Sequence, residues 1–374
     1  MTLLESPRQH ARRTILLNPG PVTLTARVRR ALTAGDWCHR EPEFAALVQE
    51  INDALAAVHP ALSGDFESVL LTGSGTAAVE AMLATFAPER QRTLVLVNGV
   101  YGERMVRMLA AHGKPHHVLA QEWTAAVPIP ALERELATDR TISHVAVVHH
   151  ETTTGRLNDL QTIGRVCQAW GVRLLVDAVS SFGAEQIAGR DWSIDAIAGT
   201  ANKCLHAAPG LSFVLARREA WAHPAPARSV YLDLHAYHRA QHADGYSPFT
   251  QAVQVAFALR EALAEHREQG GWLARRALFR ARAACVQAEL LRHGVSPLLA
   301  PSEYSSVLCS YRLPVGLGYR RLHDALKRRG FVIYAGQGHL SPEVFRIAHM
   351  GDIQEPDLEE LCGALAAILG GRRG

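Results

Sequence analysis

Short apolar segments alternate with amphipathic segments along most of the chain. Runs such as VLL, LVLV, VAVV and LLVD are typical of strands that are covered on both faces of a sheet. They predict strands at residues 69–72, 93–97, 144–149, 173–177, 195–199 and 212–216. Between them, the spacing of apolar residues predicts helices near residues 76–86, 103–112, 131–138 and 160–170. This alternation predicts an α/β fold with a mostly parallel sheet, in which ligands bind at the carboxyl ends of the strands.

The pattern changes after residue 245. Long helical segments, three short strand-like segments and a last helix follow, at residues 250–268, 272–293, 306–312, 332–334, 344–347 and 356–369. We therefore predict a large α/β domain at residues 15–255 and a smaller C-terminal α+β domain at residues 256–374. The N-terminal segment, residues 1–30, is a candidate to pack with the small domain.

Composition and charge narrow the class of protein. The 374 residues are 48% hydrophobic and 20% charged, which is typical of a globular chain rather than a disordered one. A net charge of +3 gives no basis for a nucleic-acid or membrane partner. The six cysteines are scattered and form no CxxC pair, which argues against a zinc site or a disulfide scaffold. Because the sequence also has no signal-peptide core and no bilayer-length apolar run, we expect a cytoplasmic protein.

The histidines do not predict a metal site. Among the 19 histidines, the pairs His116-His117 and His149-His150 are adjacent in sequence. Neighbouring side chains on a strand point to opposite faces of the sheet, so neither pair can easily bind one ion. We therefore predict no metal centre.

Two features with possible chemistry directly follow predicted strands. Residues 73–76 (Gly-Ser-Gly-Thr) lie between a strand and a helix, where glycines and free backbone N–H groups can hold a phosphate. An ordinary tight turn with a capping threonine explains the same residues. Asp177 ends the strand at residues 173–177. Its carboxylate can cap a neighbouring helix, or it can keep a pyridine nitrogen protonated.

Two further features follow other predicted strands. Lys203 has small and apolar neighbours in sequence; most lysines lie on the surface, but a partly buried lysine has a lowered pKa that suits Schiff-base formation. Residues 151–155 (Glu-Thr-Thr-Thr-Gly) are either turn formers or hydroxyl donors to a ring oxygen or substrate. With residues 73–76 and Asp177, these features supply every group that would hold pyridoxal 5'-phosphate (PLP): a phosphate site, a ring-hydroxyl partner, an acid and an amine.

From residue 15 to about residue 370, the chain resembles class V aminotransferases. The matching stretches are LLNPGPVTL, GSGTAAVEA, NGVYGERM, HHETTTG, LLVDAVSSFG and TANK. In this family an aspartate precedes the cofactor-bearing lysine by a fixed interval, which the 26 positions from Asp177 to Lys203 match. The resemblance implies the fold of PLP-dependent transferases of fold type I, and PLP-dependent aminotransferase activity.

The resemblance also implies roles for individual positions. The residues that would contact PLP are Ser74, Gly75, Thr76, Tyr101, Thr152, Asp177, Val179, Asn202, Lys203 and Thr250. The first three would hold the phosphate, and the ring would lie between Tyr101 and Val179. Thr152 would face the ring oxygen and Asp177 the ring nitrogen, and both Asp177 and Lys203 would be catalytic. Family members are dimers with shared active sites, so Thr250 would reach the phosphate of the neighbouring subunit.

The block at residues 36–44, DWCHREPEF, resembles the subgroup of 2-aminoethylphosphonate:pyruvate transaminases. The subgroup implies an amine donor and a 2-oxo acid acceptor as substrates. The residues that would bind them are Arg346, Gly20, His39 and Arg40. Arg346 would bind the anionic group of the substrate with its fork of donors, whereas a surface salt bridge is the structural alternative.

Other reactions stay open on the sequence alone. Residues 247–252 depart from the usual family pattern, which leaves a related aminophosphonate as a possible substrate. Alanine:glyoxylate and serine:pyruvate transamination are alternatives within the same family. Cysteine desulfuration needs a reactive cysteine on a mobile loop and usually a histidine before the lysine. Here Asn202 precedes Lys203, and Cys309 lies in a strand-like run, so this alternative is disfavoured.

Overall fold

The computed structural model describes residues 13–224 and 226–370. The strands are β1 (Ile15–Leu16), β2 (Phe66–Thr72), β3 (Arg92–Val97), β4 (His116–Ala120), β5 (Ile142–Val148), β6 (His150–Glu151), β7 (Arg156–Leu157), β8 (Arg173–Asp177), β9 (Ile194–Thr200), β10 (Leu211–Arg217), β11 (Leu308–Arg312), β12 (Phe331–Val332), β13 (Tyr334–Ala335) and β14 (Val344–Ala348). The helices are α1 (Ala26–Ala31), α2 (Pro42–Ala57), α3 (Gly75–Phe86), α4 (Val100–Ala111), α5 (Ile129–Thr138), α6 (Leu160–Ala169), α7 (Arg218–Trp221), α8 (Leu234–Asp244), α9 (Val253–Glu268), α10 (Gly271–Arg292), α11 (Tyr319–Lys327) and α12 (Glu355–Gly370).

A seven-stranded sheet in the order β2-β10-β9-β8-β5-β3-β4 organises the larger part of the chain. The five strands from β9 to β4 pair in parallel, while β10 is antiparallel to both of its neighbours. The predicted α/β class with a mostly parallel sheet is therefore confirmed. Five of the six predicted strands lie within observed strands, and the sixth, at residues 144–149, overlaps β5 except at its last residue.

Side chains of the central strands alternate between two apolar layers, one on each face of the sheet. In β5, Val145 and Val147 pack into one buried cluster, while Ala146 and Val148 pack into the other. Helices α2, α6 and α9 contribute to the first layer, and α3 and α4 to the second. Because both faces are covered, these strands need apolar residues at nearly every position, which explains their uninterrupted apolar sequences.

Several elements of this region were not predicted, among them β4 and α2. Strand β4 lies at the edge of the sheet with most side chains at least partly exposed, and its sequence, HHVLA, begins with two polar residues. Helix α2 buries Phe44, Leu47, Val48, Ile51 and Leu55. That spacing of three and four residues is the usual pattern of an amphipathic helix, so α2 could have been predicted from the sequence.

The C-terminal part contains the antiparallel sheet β11-β14-β13 with helices α10 to α12 around it. Near the other end of the chain, β1 pairs in parallel with β12, and Ile15 and Leu17 are buried in the same apolar cluster. The predicted boundary between residues 255 and 256 falls inside α9, whose buried residues pack with the large sheet. The division into two domains stays a prediction.

Among the described residues, none of the helices combines the length and apolar character that crossing a bilayer requires.

Candidate active site

The candidate residues lie on loops at one edge of the large sheet. Strands β3, β5, β8 and β9 run in the same direction, and β2 also does so because it is separated from β9 by the antiparallel β10. The segments that follow these strands carry most of the residues predicted to contact the cofactor. This edge is where α/β sheets bind ligands.

A pocket at this edge brings together five of the predicted residues. Its lining includes Gly75, Thr76, Tyr101, Asp177 and Val179. Gly75 is required here because a Cβ atom on it would lie 2.7 Å from Cγ1 of Val179 and 3.2 Å from Cβ of Thr200. The absence of a side chain lets the start of α3 pack directly against the loop after β8.

The start of α3 is suited to an anion. The helix has twelve residues and begins at Gly75, with Ser74 as its N-cap. The Ser74 hydroxyl makes no capping hydrogen bond, and the side chains of Ser74 and Thr76 are exposed. The first N–H groups of a helix lack intrahelical partners and carry partial positive charge, so a phosphate group would be stabilised at this position.

Asp177 is a buried carboxylate at the end of β8. Its Oδ1 accepts a hydrogen bond from the Val179 N–H at 3.0 Å. Burial raises the pKa of Asp177 to about 6, against the opposing influence of this hydrogen bond and of the charges on Lys203 and Arg104. A cationic group placed beside the carboxylate would lower this pKa and keep Asp177 ionised.

Lys203 follows β9 at the same edge of the sheet and has a perturbed amine. Its Nζ donates to the carbonyl of Pro19, and burial lowers its pKa to about 8. Gly20 has a φ of +115°, and a Cβ atom on it would lie 2.6 Å from Cδ and 2.8 Å from Cε of Lys203. Gly20, predicted as a substrate-binding position, therefore contacts the lysine side chain in the structure, and only glycine leaves room for that contact.

Thr152 and Arg346 meet on the side of the small antiparallel sheet. The Thr152 hydroxyl is buried without a hydrogen-bond partner among the described residues, while its carbonyl accepts from Nη1 of Arg346 at 2.8 Å. Arg346 is only 3% exposed and also donates to Ala335 O and to Oε1 of Gln337. Burial lowers the pKa of Arg346. No carboxylate pairs with this guanidinium within the part of the chain that the structure describes, which disagrees with a surface salt bridge.

Of the remaining predicted residues, Asn202 lies next to Lys203, whereas Arg40, His39 and Thr250 lie outside the pocket. Asn202 accepts a hydrogen bond from the Thr200 hydroxyl at 2.8 Å, next to Lys203. Arg40 is exposed and donates to the carbonyls of Ser247 and Pro248, on the segment that carries the exposed Thr250; His39 is half-buried beside it in sequence. No hydrogen bond between described residues joins Arg40, His39 or Thr250 to the pocket of the same chain.

Arg104 belongs to this pocket but was not predicted. It lies on α4, one turn after Tyr101, and its guanidinium carbon is 4.7 Å from the centre of the Tyr101 ring. Its Nη1 donates to the Thr76 hydroxyl at 3.2 Å. The three-residue spacing of Tyr101 and Arg104 places both on one face of a helix, and this was a signal available in the sequence.

Glu151 is a second residue that was missed, and it fixes the start of α4. Its carboxylate accepts from the Thr153 N–H and hydroxyl, at 3.1 and 2.6 Å, and from the Gly102 N–H at 3.4 Å. A Cβ atom on Gly99 would lie 2.3 Å from Cδ of Glu151. Burial raises the pKa of Glu151 to about 7. The loop with Thr152 is thereby joined to the helix that carries Tyr101.

Three side chains elsewhere have the spacing of metal ligands. Single ligand atoms of Glu67, His238 and His242 lie within 4.8 Å of one another, on β2 and α8. Glu67 already contacts His238 at 2.7 Å and Arg218 at 3.3 Å. The absence of a metal centre stays a prediction.

The chain is similar to many known proteins, both in sequence and in structure. The chain is 34% identical over 358 residues to a 2-aminoethylphosphonate–pyruvate transaminase of Pseudomonas aeruginosa, covering 95% of this chain and 96% of the relative. It is 35% identical over 363 residues to the transaminase of the same name from Bacillus cereus, covering 95% and 98%. An alanine–glyoxylate aminotransferase from Nostoc sp. superposes with a TM-score of 0.88 at 26% identity, covering 98% of each chain.

These similarities agree with a family model. An aspartate aminotransferase of subgroup IV from Thermus thermophilus has a TM-score of 0.86 at 28% identity, covering 96% of this chain and 99% of that one. The model of aminotransferase class V matches residues 38–306. The predicted family is confirmed, and so is the fold type shared with PLP-dependent aminotransferases. The chain belongs to the class V family of aminotransferases.

Proposed function

We propose that this protein is a PLP-dependent transaminase that transfers the amino group of 2-aminoethylphosphonate to pyruvate, which gives phosphonoacetaldehyde and L-alanine. The observation that carries the proposal is that Asp177 and Lys203 lie at the ends of two adjacent strands, β8 and β9, at the sheet edge where α3 begins. The pKa values of both groups are shifted towards neutrality. The substrates are supported by two relatives, 34 and 35% identical to this chain, that are both named 2-aminoethylphosphonate–pyruvate transaminase.

The residues present fit PLP as a cofactor. The Thr152 hydroxyl is buried and has no hydrogen-bond partner among the described residues. Buried polar groups are normally hydrogen-bonded, and the ring oxygen of PLP would supply the missing partner. The start of α3 would hold the phosphate, Asp177 the ring nitrogen, and Tyr101 and Val179 the ring itself. When bound, PLP supplies a cationic ring that withdraws electrons from the amine-bearing carbon of the substrate.

Lys203 and Asp177 divide the proton chemistry between them. Since the pKa of Lys203 is lowered to about 8, a useful fraction of its amine is neutral at physiological pH. The neutral amine accepts a proton from the amine-bearing carbon of the substrate and then returns it as an acid. Asp177 would keep the ring nitrogen of bound PLP protonated, and the positive charge there would in turn stabilise the buried carboxylate.

Arg346 accounts for an anionic substrate. Its guanidinium is buried and has no carboxylate partner within residues 13–224 and 226–370, so its charge is available to a ligand. A phosphonate on the donor and a carboxylate on the acceptor both match its planar arrangement of N–H groups. One arginine can therefore hold both substrates in turn.

A second transamination is compatible with the same site. The Nostoc alanine–glyoxylate aminotransferase superposes on 98% of this chain, and its substrates also carry a carboxylate. Alanine:glyoxylate or serine:pyruvate exchange, or transamination of a related aminophosphonate, is the alternative. Cysteine desulfuration is disfavoured, because Cys309 is buried in β11 and burial raises the pKa of its thiol to about 12.

We also propose a cytoplasmic homodimer with shared active sites. Thr250 is exposed, and the neighbouring Phe249 packs against the Tyr231 ring, whose side chain is 39% exposed. Tyr231 donates to the carbonyl of Thr72, and Thr72 Oγ1 accepts from the Ala252 N–H, so this aromatic pair adjoins the segment before α3. Large exposed aromatic residues next to a binding site are typical of an interface.

The lowered pKa of Lys203 predicts its reactivity in the cofactor-free protein. An amine reacts only when deprotonated, so the rate of acetylation by acetic anhydride should fall as the pH falls through about 8. The chain has three lysines, Lys114, Lys203 and Lys327, and peptide mapping separates them. A midpoint near the ordinary lysine value of about 10.4 would contradict the environment described here.

Replacement of Thr152 by valine should change stability and cofactor binding in opposite directions. Without cofactor, the buried hydroxyl lacks a partner, so Thr152→Val should raise the free energy of unfolding by about 1 kcal/mol. The same change should weaken PLP binding roughly tenfold, since one hydrogen bond is lost. Thr154 also has a buried hydroxyl without a partner and is a matched control. Thr154→Val should stabilise the protein and leave PLP affinity unchanged; equal affinities in both variants would exclude the role of Thr152.

Steady-state kinetics with different donors test the substrate assignment. We expect kcat/KM to be higher for 2-aminoethylphosphonate with pyruvate than for serine with pyruvate or for alanine with glyoxylate. Arg346→Gln should lower kcat/KM for anionic donors by about two orders of magnitude, with PLP absorbance retained. If serine or alanine with glyoxylate is far the better pair, the phosphonate assignment is wrong and the alternative holds.

Mixed dimers test the shared active site. A Lys203→Ala variant and a Thr250→Ala variant should each be impaired as homodimers. Mixing them under conditions of subunit exchange should restore part of the activity, because one site in the hybrid retains both residues. A monomer with full activity in light scattering and assay would exclude this arrangement.

A further inference from the structure

Arg104 brings a positive charge to the pocket where the proposed cofactor phosphate binds. Among the described residues that line this pocket it is the one cationic side chain. We propose that Arg104 is a phosphate-recognition residue, whose charge makes the protein select PLP over its unphosphorylated form, pyridoxal. This inference rests on the proposed function, because it concerns how the same cofactor is recognised.

Two contacts hold the Arg104 side chain towards the start of α3. Nη1 donates to the hydroxyl of Thr76, the second residue of that helix, at 3.2 Å. The guanidinium also lies over the Tyr101 ring, with its carbon 4.7 Å from the ring centre, which is within the range of a cation–π contact. The side chain is therefore fixed between the helix terminus and the ring platform before any ligand arrives.

The charge on Arg104 is not neutralised by a neighbour. No ion pair with a carboxylate engages it in the described part of the chain, and its side chain is only partly exposed. Its field reaches the other charged groups of the site, because it lowers the pKa values of both Asp177 and Lys203. An unpaired cation in a sheltered site is poised to attract an anion.

The start of α3 would not suffice for a phosphate group alone. A helix terminus supplies about half an elementary charge, whereas a phosphate ester near neutral pH carries nearly two negative charges. Arg104 adds a full charge on the side of Thr76. A guanidinium also suits phosphate better than an ammonium group does, because its donors are fixed in one plane.

A purely structural role for Arg104 predicts a different result. If the guanidinium only fixed the Tyr101 ring, its loss would weaken PLP and pyridoxal equally, since both share the ring. If it acts through charge on the phosphate, only PLP is affected. The difference between the two ligands thus separates these roles without any measurement of turnover.

The experiment measures the dissociation constants of PLP and of pyridoxal by spectroscopic titration of the cofactor-free, full-length protein. Wild type is compared with Arg104→Gln, Arg104→Lys and Arg107→Gln, the last being an exposed arginine on the next turn of α4. We expect Arg104→Gln to weaken PLP at least about tenfold and pyridoxal less than about twofold. Arg104→Lys should lie between, and Arg107→Gln should match wild type.

The outcomes separate the inference from the function on which it rests. Equal weakening of both ligands in Arg104→Gln, an unchanged PLP affinity, or a lysine variant no better than the glutamine variant would each overturn the role of Arg104. Wild type that binds PLP far more tightly than pyridoxal would still support the proposed cofactor in those cases. Wild type that binds neither ligand would overturn the proposed function and this inference together.

Discussion

The parallel pairing of β3, β5, β8 and β9 fixes where the chemistry of this protein takes place. Each of these strands ends at the same edge of the sheet, so segments separated by about a hundred residues in sequence become neighbours there. The cost is that both faces of the sheet must be covered by helices, which explains the apolar strands and the two buried layers. The polar groups of the site are consequently surrounded by a medium that does not hydrate them.

Poor hydration determines the character of the individual groups. Burial moves the pKa of Asp177 upwards and that of Lys203 downwards, so both approach neutrality from opposite sides. Burial destabilises the charged form of each group, and an oppositely charged partner nearby would stabilise that charged form again. Glu151 shows the same influence, although its role is to hold the start of α4. Thr152 shows the same constraint most directly, because its buried hydroxyl has no hydrogen-bond partner among the described residues.

Most of the fold and the family followed from the sequence. Apolar runs bounded by small residues identified the central strands, and the stretches that resemble class V aminotransferases identified the family. Strand β4 was not predicted, because an exposed edge strand does not need alternating apolar residues. The spacing of Tyr101 and Arg104 pointed to a shared helix face, but the hydrogen bond from Arg104 to Thr76 is a tertiary contact that the sequence does not reveal. Glu151 lies in the predicted segment 151–155, and its contact with the Gly102 N–H is likewise tertiary. Arg40 and Thr250 lie outside the pocket of their own chain, so the roles expected of them depend on the proposed dimer.

The short connection after β1 limits how the protein can move. Leu16 pairs with Val332 beside the small sheet, while the carbonyl of Pro19 accepts from Lys203. Consecutive Cα atoms are about 3.8 Å apart, so these two anchor points can never separate by more than about 11 Å. Any displacement of β12 from Lys203 must therefore strain this connection, break the hydrogen bond between Pro19 and Lys203, or break the pairing at β1. The connection thus links the amine of Lys203 mechanically to the position of β12.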